Sequence, residues 1–150
     1  TFTIGFESVI DDDAVLELRW EKTKATMNIH ADSQEKALEN IKKAIADPAV
    51  DYRAYASSAR YLVDHKLKPE EALKYAQQSV DLEKKYWNTH TLALAYAENG
   101  QFTKAVETAN LSIGLAKEAK SDAYVEKNNE LLISLKGKVD TNKGSTLNAK

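Results

Sequence analysis

Three histidines, His30, His65 and His90, are the obvious candidates for chemistry, and no two stand at the spacing of a metal-ligand pair. His30 falls at a strand-to-helix junction and His65 at a helix end, positions that suit exposed polar side chains. The run Asp11-Asp12-Asp13 has charge enough for calcium. A calcium loop, however, spreads its oxygen ligands over about a dozen residues around a turn glycine, and the ligands do not follow at that spacing here. A charged hairpin tip is the expectation. Cysteine is absent, which excludes thiol catalysis, cysteine-based zinc sites and disulfide frameworks. The five glycines, at 5, 100, 114, 137 and 144, never cluster into a phosphate-cradling loop. No serine occupies a G-x-S-x-G turn, and no carboxylate pair stands out from the general scatter of charge. The side chains support no enzyme, no metal and no cofactor.

The chain of 150 residues can bury about 68–70% of its unfolded surface, so it needs no staple to fold. Twenty-one basic and 23 acidic residues leave a net charge of −2. Without a basic excess or a stripe of interleaved aromatics, nucleic acid is not an expected partner. The 43% hydrophobic and 29% charged fractions are those of a globular chain. No apolar run approaches the roughly 20 residues of a membrane-spanning helix. Because the chain begins at Thr1, it is expected to be a processed or truncated product from which any targeting segment has been removed.

Composition changes near residue 30. In the first ten residues Phe2, Ile4 and Phe6 alternate with Thr3 and Gly5, the period of a half-buried strand. After the three aspartates, Leu16, Leu18 and Trp20 share one face, and beyond Lys22 the phase flips to Thr23, Ala25, Met27 and Ile29. A phase flip implies a bulge, a bend or a change of sheet. The expectation for 1–30 is a β-hairpin of strands 2–9 and 14–29, irregular near Glu21–Thr23 and left over from a larger β-domain. Two strands alone are marginal in water. From residue 31 to 139 the pattern is helical. Asp32 with Glu35 makes a capping box for a helix over 34–47, and Asp51 can cap the next. Pro69 with Glu70 and Glu71 suits a third helix start. Gly100 separates helices at about 86–99 and 101–119, and Ser121 or Asp122 caps a sixth running to about Gly137. Residues 140–150 lack periodicity and read as a flexible tail.

The helices repeat. Ala72, Ala76, Ser79 and Val80 match Ala105, Ala109, Ser112 and Ile113 at an offset of 33, and Tyr52 and Ala59 match Tyr86 and Ala93 at 34. A period near 34 in helix–turn–helix units is the tetratricopeptide pattern. The second unit resembles that family well, with Leu92-Ala93, Tyr96, Gly100, Phe102 and Ala105. The first is weaker, because Leu67 stands where a turn glycine is usual. The plainer alternative is a generic antiparallel bundle with small residues at its contacts. The fold class expected is mainly α: about six helices in tetratricopeptide-like antiparallel pairs, an α-α superhelix, behind an N-terminal β-hairpin.

A second resemblance covers the join between the two regions. Trp20-Glu21-Lys22-Thr23 and the helices after it are similar to the C-terminal part of an uncharacterised bacterial family. In that family a small β-rich domain of unknown function is often followed by tetratricopeptide-type helices. The resemblance implies an exported or periplasmic protein and transfers no activity.

Tetratricopeptide groove positions, carried onto this chain, give Trp87, His90, Thr91, Leu94 and Glu98 in the second unit and Arg53, Ala56, Ser57, Arg60 and Asp64 in the first. On the sixth helix they give Asn128, Asn129, Leu132 and Lys136. Arg53, Arg60, His90, Asn128 and Asn129 would then offer donors to a peptide backbone or carboxylate. The plainer roles are solvation for the arginines and interhelical packing for Trp87. Ala56 and Arg60 stand where a chaperone-binding carboxylate clamp needs a Lys and Asn pair, so a chaperone C-terminus is not the expected ligand. The leading expectation is a non-enzymatic module that binds a protein or peptide. The alternative is a structural helper for an exported β-domain whose own site lies outside this chain. Residues 1–29, with uncovered apolar residues and unpaired edges, are expected to pair with a second copy as a homodimer, or else to fold against helix 34–47 and leave a monomer.

Overall fold

The computed structural model describes residues 1–10 and 12–138. Asp11 and the expected tail at 140–150 lie outside the described residues. Among them, three strands come first: β1 (Phe2–Ile10), β2 (Asp13–Trp20) and β3 (Thr23–His30). Six helices follow: α1 (Ser33–Ala46), α2 (Tyr52–Asp64), α3 (Pro69–Leu82), α4 (Tyr86–Glu98), α5 (Phe102–Glu118) and α6 (Asp122–Leu135). The architecture is mainly α with an N-terminal antiparallel β element, as the patterning requires. The chain divides into two compact units, one from Thr1 to Ala44 and the other beginning at Ile45.

In the first unit the sheet is a meander of order β1-β2-β3, so the expected long strand 14–29 is in fact two strands. The irregularity near Glu21–Thr23 is a tight turn. Trp20 pairs with Thr23, and Glu21-Lys22 alone forms the loop, with Glu21 at φ 52°. Such loops need left-handed backbone and favour Gly, Asn or Asp, so a Glu-Lys pair gives no turn signal. The loop also explains the phase flip. Residues paired across a two-residue loop have opposite parity, so Leu16, Leu18 and Trp20 share a face with their partners Met27, Ala25 and Thr23. On β1 the partners of those three β2 residues are Phe6, Ile4 and Phe2. A bulge between Phe6 and Ser8 then resets the register, pairing Val9 with Ala14 and keeping it on the same face.

One side of the meander is therefore almost wholly apolar, and it is open: Phe6 is 62%, Trp20 65% and Met27 56% exposed. The other side carries the charged residues, with Val15 and Ile10 among them. Glu17 accepts from Arg19 and from Lys24, Lys24 also reaches Glu7 at 2.8 Å, and His30 Nδ1 lies 2.8 Å from Asp13 Oδ1. Of the capping box expected at α1, the Asp32 half forms, with Asp32 Oδ1 accepting from the Glu35 N–H at 3.1 Å. No residue of α1 is buried.

In the second unit Asp51 caps α2, accepting from the N–H groups of Arg53 and Ala54 at 2.9 and 3.0 Å. Pro69 opens α3, where a missing N–H costs nothing. Three helix junctions share one closure. Lys66, Gly100 and Lys120 are left-handed (φ 52°, 70° and 54°). The N–H after each reaches back over the turn: Leu67 to Leu62, Gln101 to Tyr96 and Ser121 to Ala116, at 2.8–2.9 Å. This is the Schellman closure, in which glycine is usual. The first unit's missing glycine is thus Lys66 rather than Leu67.

Helix α2 packs on α3 and α4 on α5, while α4 also lies against both α2 and α6. Within each pair the helices are antiparallel. Ser79, near the end of α3, donates its hydroxyl to the carbonyl of Tyr52 at the start of α2, at 2.7 Å. Ser112 of α5 does the same to Tyr86 of α4, also at 2.7 Å. The small residues matched in the sequence are the interior: Ala59 and Ala93, Ala72 and Ala105, Ala76 and Ala109, Ser79 and Ser112 are all at most 1% exposed. Side chains this small let the helix backbones approach closely at interior packing density. Central α4 is buried on most sides, through Asn88, Thr89, His90, Thr91, Leu92, Ala93 and Ala95.

Candidate functional site

The end of α4 meets the start of α3, where Asn99 Nδ2 donates to the Pro69 carbonyl at 2.8 Å, so α2 and α4 point the same way. With α6 they frame a groove of two adjoining depressions. The first, about 360 Å³, is lined by Arg53, Ala56, Ser57, Arg60, Trp87, Thr91, Tyr124 and Lys127. The second, about 490 Å³, is lined by Arg60, Val63, Asp64, His90, Leu94, Glu98, Lys127, Glu130, Leu131 and Ser134. Arg60 and Lys127 border both.

Six of the eight expected site residues line this groove: Arg53, Arg60, Trp87, His90, Thr91 and Leu94. Trp87 is half-buried with its ring centroid 5.8 Å from that of Tyr52, and the Arg53 guanidinium lies 5.0 Å from the Tyr52 ring centre. Arg60 Nε donates to Asp64 Oδ2 at 2.7 Å, an i,i+4 pair along α2. Lys127 Nζ sits 4.9 Å from the Tyr124 ring centre. Thr91 spends its hydroxyl on the Trp87 carbonyl at 3.2 Å.

The two expected asparagines do other things. Asn128 is fully buried beneath the groove, and Asn129 is exposed and lines neither depression. Both amide hydrogens of Asn128 are used, one on Ser112 Oγ at 2.9 Å and one on the Tyr124 carbonyl at 2.7 Å. Its oxygen lies 2.9 Å from His90 Nδ1. That oxygen can only accept, so the network assigns the His90 proton to Nδ1. His90 Nε2 is then a lone-pair acceptor, with no partner among the described residues. Burial holds the His90 imidazole below its ordinary 6.5; the charges of Arg60 and Lys127 add to this, and the Asn128 hydrogen bond and Asp64 oppose it. That shift favours the neutral imidazole. Sequence makes His90 and Asn128 donors to a ligand, whereas the geometry makes His90 an acceptor and Asn128 a support.

Asparagine meets the repeat serine at both junctions. Asn88 Nδ2 donates to Ser79 Oγ at 2.9 Å and to the Glu83 carbonyl at 2.7 Å, while its oxygen accepts from the Lys85 N–H at 2.9 Å. Asn88 does this from the first turn of its helix and Asn128 from the second. The reason is that α5 is 17 residues long against 14 for α3. Counting along a repeat therefore misplaces the groove line of α6. The residues found there are Tyr124, Lys127, Glu130, Leu131 and Ser134 in place of Asn129, Leu132 and Lys136. Their own helical spacing, with Leu135 buried on the adjoining stripe, was the available signal.

Among the described residues no group of three or more His, Cys, Asp or Glu could hold a metal ion, and no helix is long and apolar enough to cross a membrane. No protein-family model, curated protein or solved structure matches the chain.

Proposed function

We propose that the helical unit is a non-enzymatic, tetratricopeptide-type module that binds a protein or peptide segment along the groove of α2, α4 and α6. The observation that supports it is the pair of depressions joined through Arg60 and Lys127. Together they form an open channel of mixed aromatic, apolar and charged lining rather than an enclosed pocket. An extended segment suits such a surface because its backbone and alternate side chains can be met at once. Random-peptide display on the intact chain tests the reading. Binders whose capture is lost with Trp87→Ala, in a protein that keeps its helicity, uphold it; a selection that recovers no Trp87-dependent binder overturns it.

A second reading concerns the sheet, and the open apolar face of the meander supports it. Three strands of about eight residues present a footprint of roughly 26 by 14 Å, and among the described residues the outer strands β1 and β3 each pair on one side only. We propose that residues 1–29 pair face to face with a second copy, as stacked sheets do at about 10 Å. A β-domain elsewhere in a longer chain would cover the same face, and the helical unit would then be its structural helper.

A further inference from the structure

The groove is electrically polar along its length, and the polarity goes against what helix stability favours. Arg53 is in the first turn of α2, Asp64 is the last residue of α2, and Glu98 is the last of α4. A helix dipole is positive at the N-terminus and negative at the C-terminus, so each charge stands at the end of its helix that disfavours it. Local rules are broken in this way where function demands it. The charges are also under-used. Among the described residues neither Glu98 nor Glu130 has an ion-pair partner, and Lys127 has only the Tyr124 ring. Arg53 has Asp51 at 3.7 Å, a carboxylate already engaged in capping α2. Arg60 and Asp64, by contrast, satisfy each other at 2.7 Å. What remains is a cationic end, with Arg53 beside Trp87, an anionic end, with Glu98 and Glu130, and Lys127 at the junction of the two depressions.

We propose that the groove takes an extended peptide segment of opposed charges, an acidic side chain over Arg53 and Lys127 and a basic one over Glu98 and Glu130. The proposal rests on the peptide-binding reading and adds what the peptide must carry. The spacing follows from the helices. Trp87, which lines the cationic depression with Arg53, and Glu98 are eleven residues apart on α4, about 16 Å at the α-helical rise. An extended chain covers that distance in about five residues. At the cationic end Trp87 offers a ring to an apolar side chain, and between the two charges His90 Nε2 accepts a backbone N–H.

The test uses the same display selection on the intact chain, followed by titration of the best synthetic peptide and of its twin with acid and base exchanged. Enriched peptides are expected to carry an acid and a base four to six positions apart. The twin is expected to bind at least tenfold more weakly. In the fourfold variant Arg53→Glu, Lys127→Glu, Glu98→Lys and Glu130→Lys, which turns the field round, the preference between the two peptides is expected to invert; Lys127→Glu with Glu98→Lys, which cancels the net charge at each end, replaces it if its helicity is lost and is expected to abolish the preference. If the binders depend on Trp87 but carry no paired charges, or if the reversed groove keeps the original preference, this inference is wrong while the peptide groove stands. If no binder depends on Trp87, both fall.

Discussion

The side-chain amide of Asn128 donates to the hydroxyl of Ser112 at 2.9 Å, and both residues are entirely buried. Ser112 in turn donates to the carbonyl of Tyr86, so one asparagine of α6 locks the pair formed by α4 and α5. Replacing it by alanine strands the His90 N–H and one Ser112 lone pair in a buried site. Asn128→Ala is expected to cost about 2–3 kcal/mol, read from urea denaturation. Asn129→Ala, one residue on and exposed, is expected to stay within about 0.5 kcal/mol. Equal losses would show that the buried network does not stabilise the helical unit.

Acid exposes the state of His90. Its folded pKa lies below the ordinary 6.5, so near that pH the unfolded chain binds a proton that the folded chain refuses. Stability is therefore full above about 6.5 and falls as pH drops through it, until the folded imidazole itself titrates. His30 works in the opposite sense. The Asp13 hydrogen bond raises its pKa, so its contribution is complete below 6.5 and is lost as pH rises through the raised value. In a His30→Asn background, the ring-proton NMR signal of His90 is expected to titrate below 6.5, and Asn128→Asp is expected to move that midpoint upward. A His90 midpoint at or above 6.5 would sink the neutral-acceptor assignment.

Turn chemistry gives a pair of opposite effects. Lys66 and Lys120 hold the left-handed geometry that Gly100 holds at its own junction, at a cost of about 1–2 kcal/mol per side chain. Lys66→Gly and Lys120→Gly are each expected to stabilise by about 0.5–1 kcal/mol, after the extra unfolded-state entropy of glycine is subtracted. Gly100→Ala is expected to destabilise by about 1 kcal/mol or more. Thermal melts of the three variants are the measurement, and a loss in Lys66→Gly would mean the lysine side chain matters more than its backbone.

The open sheet face predicts self-association. Phe6→Lys with Met27→Lys, which plants two charges on that face, is expected to convert a dimer into a monomer in sedimentation velocity. If the unaltered chain is already monomeric at micromolar concentration, no second copy covers the sheet.

These outcomes bear on what the sequence could disclose. The repeat was legible because buried alanines and serines recur at 33 and 34, and the caps at Asp32 and Asp51 because their side chains do the capping. The second hairpin turn was not, because Glu21-Lys22 adopts a geometry that residue types ordinarily announce with glycine or asparagine. The groove face of α2 and α4 could be placed because those helices start at equivalent positions. That of α6 could not, since one more turn in α5 moves Asn128 under the groove and brings Lys127 to its edge. His90 as an acceptor lay beyond any pattern, because its proton is assigned by Asn128, 38 residues away.

Nearly every side of α4 is covered, and its neighbours α2, α3, α5 and α6 each leave a face to solvent. In an array held by nearest-neighbour contacts, opening proceeds from the outside inward. Amide hydrogens of α4 from Asn88 to Ala95 are thus expected to exchange only when the whole helical unit comes apart. Those of α2 and α6 exchange through smaller, cheaper openings. Native-state exchange rates along the chain would rise on either side of α4. The groove would then have a stiff floor between two walls that breathe, so a segment settling into it would meet a surface able to adjust its width without losing its base.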